Sequence, residues 1–126
     1  TLFAAQFIGS PAMNVIDATL KGGTATLLNG AKLKTNSTET GEVTVGIRPE
    51  HVTLDPKGAL ELKVMAAEPL GANTLLHGKL AGSDEMFTAS LSGVHQFSKD
   101  DKSLLLSILS ENVHIFDRSS GLRLDE

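Results

Sequence analysis

From Ile16 onward apolar and polar residues alternate along most of the chain, and this period of two predicts strands. Ile16, Ala18 and Leu20 alternate with Asp17, Thr19 and Lys21. Ala25 and Leu27 alternate with Thr24 and Thr26, and Ala31 and Leu33 with Lys32 and Lys34. Gly22-Gly23 and Asn29-Gly30 separate these runs. Both pairs tolerate the left-handed backbone of tight hairpins, so the three runs predict a meander. Residues 35–42 contain no apolar side chain and predict a surface loop. Val43, Val45 and Ile47 form the next run. Pro49 ends it because proline cannot donate to a ladder, and Val52 and Leu54 read as a short continuation. Asp55-Pro56-Lys57-Gly58 is a turn by composition.

Leu60, Leu62, Val64 and Ala66 then alternate with Glu61, Lys63, Met65 and Ala67 until Pro69 and Gly71 break the run. In the following strand Leu76, Gly78 and Leu80 share one face, and Leu75, His77 and Lys79 the other. Gly82-Ser83-Asp84 turns the chain into a strand carrying Phe87, Ala89 and Leu91, and residues 93–102 read as a loop. The almost continuous apolar run 104–109 predicts a central strand. Residues 113–116 form a last short strand, and Ser119-Ser120-Gly121 turns it toward Leu122 and Leu124.

The opening has a different period. Phe3 and Phe7 lie four apart with Leu2 alongside, Gly9 stands where a helix C-cap belongs, and Pro11 follows. Residues 1–8 therefore predict the end of a helix. It either packs on this domain or is the tail of a helix from a preceding one. The second reading is preferred, because so short a helix has no reason to nucleate alone. The chain opens on Thr1 rather than Met, which fits a piece of a longer protein. The prediction is an all-β barrel or sandwich of about nine strands with a short N-terminal helix.

Composition supports a globular domain and removes several functions. Leu, Val, Ile and Phe supply 36 of 126 residues, above the roughly one-fifth below which chains stay disordered. The net charge of −4 argues against a polyanion-binding module. Five Phe without Trp or Tyr make a poor stacking platform for bases or sugars. Without cysteine there is no disulfide, thiolate metal site or cysteine nucleophile. Apolar runs fall far short of the ~20 residues that span a bilayer.

Catalytic patterns are missing as well. The chain has no G-x-x-x-x-G-K-[ST] phosphate loop and no H-E-x-x-H zinc pattern. His51, His77, His95 and His114 are isolated in sequence and read as ordinary surface or half-buried histidines. Ser10, Ser90 and Ser92 lack a nucleophile-elbow context. Asp84-Glu85 and Asp100-Asp101 read as solvated turn residues. Leu91-Ser92-Gly93-Val94-His95-Gln96 faintly echoes the LSGGQ signature of ABC-type ATPases. It carries an insertion and follows a strand instead of opening a helix, so it reads as coincidence.

Three segments, in order, carry a specific resemblance. They are Phe7-Ile8-Gly9-Ser10-Pro11-Ala12-Met13-Asn14, Val45-Gly46-Ile47-Arg48-Pro49-Glu50-His51 and Leu70-Gly71-Ala72-Asn73-Thr74-Leu75-Leu76-His77-Gly78. A closing His114-Ile115-Phe116-Asp117 and Ser120-Gly121 join them. Together they resemble the C-terminal part of the ATP-binding subunits of bacterial carbohydrate ABC importers, nearest the sn-glycerol-3-phosphate and maltose types. Gly-Ile-Arg-Pro-Glu-His is the most specific of these signals.

The resemblance implies an OB-like barrel, the transport-associated OB domain, over residues 14–126. Residues 1–13 would be the end of an ATPase-domain helix and a linker. It implies a non-catalytic regulatory and dimerisation domain. The parent subunit would use ATP and Mg through motifs upstream of Thr1, and this segment would hold no cofactor or metal of its own. Implied partners are a second copy, membrane-spanning permease subunits and, in some members, cytosolic regulators, with no nucleic acid. The implied location is the cytoplasmic face of the bacterial inner membrane.

The motif residues Gly46, Arg48, Pro49, Glu50, His51, Gly71 and His77 are the candidate interface. Pro49 fixes the backbone between Arg48 and Glu50, which either pair to anchor the loop or meet another chain. Gly71 and Gly78 suit unusual dihedrals or close backbone approach. At a subunit interface His77 would make pairing sensitive to pH near 6 to 7. Leu75, Met65 and Leu105 occupy nominally outward positions and read as a buried interface or as cover for the neighbouring barrel. The alternative function is an independent small-anion-binding barrel. Arg48, Lys32 and Lys34 are its candidate ligands, since an anion site needs clustered amides or basic side chains. A stand-alone enzyme has no residue constellation behind it.

Overall fold

The computed structural model describes residues 13–93, 103–122 and 124. The expected N-terminal helix, the linker up to residue 12, and His95 with most of the 93–102 loop lie outside the described residues.

The period-two segments form ten strands: β1 (Asn14–Lys21), β2 (Thr24–Leu27), β3 (Lys32–Lys34), β4 (Gly41–Ile47), β5 (Val52–Leu54), β6 (Leu60–Pro69), β7 (Asn73–Leu80), β8 (Met86–Ser92), β9 (Ser103–Ile108) and β10 (His114–Asp117). They make two five-stranded sheets, ordered β10-β4-β1-β2-β3 and β5-β9-β6-β7-β8. Every pair is antiparallel. The β1–β2–β3 meander forms as expected. Its first turn places both Gly22 and Gly23 at positive φ, 59° and 77°, as a two-residue turn between right-twisted strands requires.

The second turn differs in detail from a two-residue hairpin. The Leu27 N–H donates to Ala31 O (2.8 Å), the loop spans residues 28–30, and only Gly30 has positive φ (89°). Asn29 keeps an ordinary backbone because its side chain is engaged. Its Oδ1 accepts from the Ala31 N–H (3.0 Å) and its Nδ2 donates to Ala81 O (2.9 Å). Ala81 follows β7, so this amide ties the first sheet to the second.

One expectation is corrected at Pro49. Val52 and Leu54 do not continue β4. Pro49–His51 is a single 3-10 turn, and the chain leaves the first sheet there to become the edge strand of the second. This accounts for ten strands among the described residues rather than about nine. The 35–42 loop is corrected as well. Gly41 and Glu42 already belong to β4, and Ser37 is buried. Ser37 can be buried because the loop bonds to itself: Ser37 N–H donates to Thr35 Oγ1 (3.2 Å) and Glu39 N–H to Ser37 Oγ (3.1 Å). The strand β9 is interior to its sheet as expected, between β5 and β6. It is not buried on both faces, since of its residues only Leu106 is fully buried.

One core lies between the sheets. Leu20, Val43, Val45, Ile47 and Ile115 from the first meet Leu60, Leu62, Leu76, Phe87 and Leu106 from the second. Each such side chain contributes about 1.5–3 kcal/mol on burial. The core needs close backbone approach at Gly78, where a Cβ would strike the Lys63 carbonyl and the Val64 backbone. The β6–β7 register shifts beside it, between Val64 and Ala66. On the outer face of the first sheet a Cβ at Gly46 would meet the Met13 sulfur and the Phe116 ring, the latter at 3.0 Å.

Beyond β10 the chain is held by backbone bonds, such as Leu124 N–H to Ile115 O (2.8 Å), and by side-chain bonds. Arg118 donates through Nη2 to Ala18 O (2.8 Å) and Val43 O (3.3 Å), with Glu42 at 3.3 Å and Asp17 at 3.7 Å as ion partners. The Asp117 carboxylate accepts from Ser119 Oγ (2.7 Å) and from the Ser119 and Ser120 N–H groups (2.8 and 2.9 Å). The Ser119 hydroxyl bond, then the backbone bonds, hold its pKa below the ordinary carboxylate value.

Two predictions follow from this packing and this turn. Gly78→Ala should cost about 3 kcal/mol and Gly46→Ala only about 1 kcal/mol, because a methionine side chain yields where a ladder carbonyl does not. Urea unfolding of both variants measures this, and equal losses would contradict it. The stabilisation from Asp117 is present above its ordinary pKa of 3.8 and is lost as pH falls through its lowered folded value. Asp117→Asn should therefore show a shallower fall in Tm below pH 4 than the unaltered chain, and identical acid slopes would disprove it.

Candidate interaction site at the sheet crossover

The candidate site is the crossover itself. Val45 and Ile47 are fully buried and anchor the end of β4, with Gly46 between them on the outer face. Arg48 is extended (φ −73°, ψ 137°), and Pro49 begins the 3-10 turn with its ring buried. The turn closes through His51 N–H to Arg48 O (3.0 Å), and Val52 is buried again as β5 starts. Four consecutive residues are thus pinned at both ends by core strands, while Glu50 is exposed and Arg48 half-buried.

Arg48 and Glu50 do not pair with each other. Among the described residues the ion pairs are those of Arg118. The anchoring-pair reading is therefore replaced: the backbone is held by Pro49 and the turn bond, and both charges remain free of partners among the described residues. His51 is half-buried, and its Nδ1 is enclosed without a hydrogen-bond partner.

The other candidates fall in two places. His77, on the outer face of β7, lies across from Thr88, with its Nδ1 3.3 Å from Thr88 Oγ1. Gly71 occupies the β6–β7 turn at φ 82° with open space around it, so its role there is conformational. The outward apolar trio separates too. Leu75 is covered at 8% exposure, whereas Met65 (66%) and Leu105 (37%) are open.

Two residues outside the candidate list have structural weight. Asn14 stood in the first motif segment only as a letter of the pattern. Its Oδ1 accepts from the Thr88 N–H and its Nδ2 donates to Thr88 O, both at 2.8 Å, and Nδ2 also reaches Ile47 O at 3.1 Å. One amide therefore joins the end of β4, the start of β1 and the edge of β8, beside the crossover turn that packs on β8. Sequence alone could flag only that a polar residue opens an apolar strand. Lys57 is the second. It lines a cleft of about 290 Å³ with Lys32, Lys34, Ser107 and Ser110. Arg48 does not line that cleft, so the three candidate anion ligands do not all share it. Among the described residues no group of three His, Asp or Glu could hold a metal ion, and no helix is long and apolar enough to cross a membrane.

Comparison with known proteins gives a consistent family. A family described as the MalK OB fold domain matches residues 9–52, and one described as the TOBE domain matches residues 45–116. Two sn-glycerol-3-phosphate import ATP-binding proteins, UgpC of Ruegeria sp. (strain TM1040) and UgpC of Ruegeria pomeroyi, are 45% and 42% identical to it. Both matches run over 126 residues, 100% of this chain and 36% of each relative. UgpC of Vibrio cholerae is 38% identical over 129 residues, covering 92% of this chain and 32% of that protein. The chain therefore spans about a third of the length of these relatives. Among solved structures, the cytoplasmic molybdate-binding protein ModG aligns with a TM-score of 0.61 at 19% identity, over 81% of this chain and 94% of that one. That likeness is one of fold.

Asn14→Ala removes three hydrogen bonds and leaves the Thr88 backbone groups without partners at the sheet junction. It should destabilise the chain by about 2–4 kcal/mol and speed amide exchange at Thr88 more than at Ala89 on the same strand. Urea unfolding with residue-resolved hydrogen exchange measures both. A neutral substitution, or uniform exchange along β8, would show that the clamp is dispensable.

Proposed function

The chain belongs to the TOBE domain family, and from that premise we propose that it is the non-catalytic regulatory and dimerisation domain of an importer's ATP-binding subunit. The import substrate class is sn-glycerol-3-phosphate or a related sugar. The observation that carries this reading is the match of the entire chain, at 42–45% identity, to a third of proteins named for sn-glycerol-3-phosphate import. The geometry is compatible with it. The crossover presents Arg48 and Glu50 from a backbone fixed at both ends, with neither charge consumed within the described residues.

On this reading ATP and Mg are bound by a preceding domain. The present domain pairs with its copy, works beside membrane-spanning permease subunits, receives cytosolic regulators where there are any, and sits peripherally on the cytoplasmic face of the inner membrane. Arg48, Glu50 and His51 form the contact surface, with His77 on a neighbouring face. Gly46 and Pro49 shape that surface from within, and Gly71 shapes a turn away from it. The independent anion-binding barrel is the weaker reading, because Arg48 stands apart from the lysine cleft.

Two measurements test the proposal. The coding sequence upstream of Thr1 should encode, in frame, a phosphate loop, an LSGGQ-type helix and a catalytic Glu. An unrelated upstream domain would overturn the parent assignment. The protein so encoded should sediment as a dimer with ATP bound, and Arg48→Glu together with Glu50→Arg should weaken that dimer about fivefold or more. An unchanged dimer constant would remove the crossover from the interface.

A further inference from the structure

The β2–β3 hairpin combines a joint between the sheets with a reactive pair, Asn29-Gly30. An asparagine amide is open to attack by the backbone nitrogen of the residue that follows it, and glycine, lacking a Cβ, leaves that approach unobstructed. The other asparagines, Asn14, Asn36, Asn73 and Asn112, precede Val15, Ser37, Thr74 and Val113, each with a side chain in the way. The folded chain holds both reactants in other bonds. The Gly30 N–H, the nucleophile's own, donates to Leu27 O (2.9 Å). The Asn29 amide is engaged at both ends, with Oδ1 accepting from the Ala31 N–H (3.0 Å) and Nδ2 donating to Ala81 O (2.9 Å). Ala81 is itself fixed, since its N–H donates to Glu61 O on β6 (2.8 Å). Gly30 is exposed with open space beside it, so water reaches the tip once these bonds open.

We propose that Asn29 is a deamidation site gated by the joint between the two sheets, and that its conversion severs that joint for good. When the hairpin opens, the Gly30 nitrogen gives up its proton and attacks Asn29 Cγ. A C–N bond forms, the bond from Cγ to Nδ2 breaks, and the departing nitrogen takes a proton through water and leaves as ammonia. One water then opens the resulting succinimide ring to aspartate or to isoaspartate. No reactant besides water is needed, and loss of the ammonia to solvent makes the change one-way. Both products lack the Nδ2 donor. In the aspartate product a carboxylate, which only accepts, would face the Ala81 carbonyl, so the tie is replaced by two opposed acceptors. Isoaspartate also carries the main chain through the former side chain. It lengthens the 28–30 loop by one carbon, against the Leu27–Ala31 bond that closes it. The site is thus stable while the sheets stay joined and records each opening that lasts long enough to react.

The test follows deamidation of the 126-residue chain, folded in buffer and unfolded in guanidinium chloride at the same neutral pH. Peptide mass spectrometry resolves asparagine, aspartate and isoaspartate at each site. The unfolded chain should convert Asn29 ahead of its other asparagines, and Gly30→Ala should bring Asn29 down to their rate. The folded chain should convert Asn29 at least about tenfold more slowly than the unfolded one. Hydrogen exchange at the Gly30 amide reports the opening directly, so this slowing should be no smaller than the Gly30 protection factor. Asn29→Asp, which builds the product, should lower the urea midpoint. The proposal is overturned if Asn29 converts as fast folded as unfolded, if another asparagine outpaces it in the unfolded chain, if the slowing falls short of the Gly30 protection, or if Asn29→Asp leaves the midpoint unchanged. None of these results bears on the dimer and upstream-sequence tests above.

Discussion

Two asparagine amides join the two sheets where the hydrophobic core cannot. The core is non-directional, and it would hold two apolar faces together at many relative angles. Asn14 binds Thr88 through both backbone groups, and Asn29 binds Ala81. These bonds lie at the start of β1, the middle strand of the first sheet, and at the β2–β3 hairpin on its edge. Each bond adds only about 1 kcal/mol net, but leaving its partner unsatisfied costs more. That asymmetry makes the pair a device for specifying one sheet–sheet arrangement. The register of the core then follows, with Leu20, Val45 and Ile115 facing Leu62, Leu76 and Leu106.

The crossover depends on the same arrangement. Pro49 removes one ladder donor just where β4 must stop pairing, and its fixed φ opens the 3-10 turn that redirects the chain. Gly46 accepts Met13 and Phe116 over the outer face, which completes the support of β4 behind the turn. Val52 drops back into the core within one residue of His51. The Gly-Ile-Arg-Pro-Glu-His segment is thus read twice by physics. Gly, Ile and Pro shape the joint, and Arg and Glu are what the joint displays.

Much of this was legible before any coordinates, because alternation in a two-faced sheet is a strong signal. The β1–β3 meander, the faces of β7, and the turn at 55–58 all follow from side-chain order. What was not legible depended on partners far away in sequence. Whether Val52–Leu54 extends β4 or joins another sheet is decided by pairing with β9, 54 residues on at Thr53 and Ser107. The run 104–109 read as a central strand and is one, yet burial depends on what covers the outer face, and little covers Leu105. At the site, the sequence pointed to Arg48 and Glu50 as a pair or as partners of another chain, and only geometry removed the first option. Asn14 escaped notice because a capping, turn or clamping amide looks the same in one dimension.

The location of the candidate site also suits the regulatory role proposed above. A loop tip free to move would lose entropy on binding a partner, at about 0.5–1.5 kcal/mol for each side chain immobilised and more for the backbone. Residues 48–51 are already immobilised at the backbone by β4, β5 and the turn bond, so only the Arg48 and Glu50 side chains remain to be ordered. A force applied there acts on one strand of each sheet at once, since β4 belongs to the first and β5 to the second. The Asn14 clamp reaches both Ile47 at the end of β4 and Thr88 at the edge of β8. The crossover and the edge of β8 therefore share a support. A partner that shifts the end of β4 must also shift the Asn14 amide and, through it, the Thr88 edge of β8.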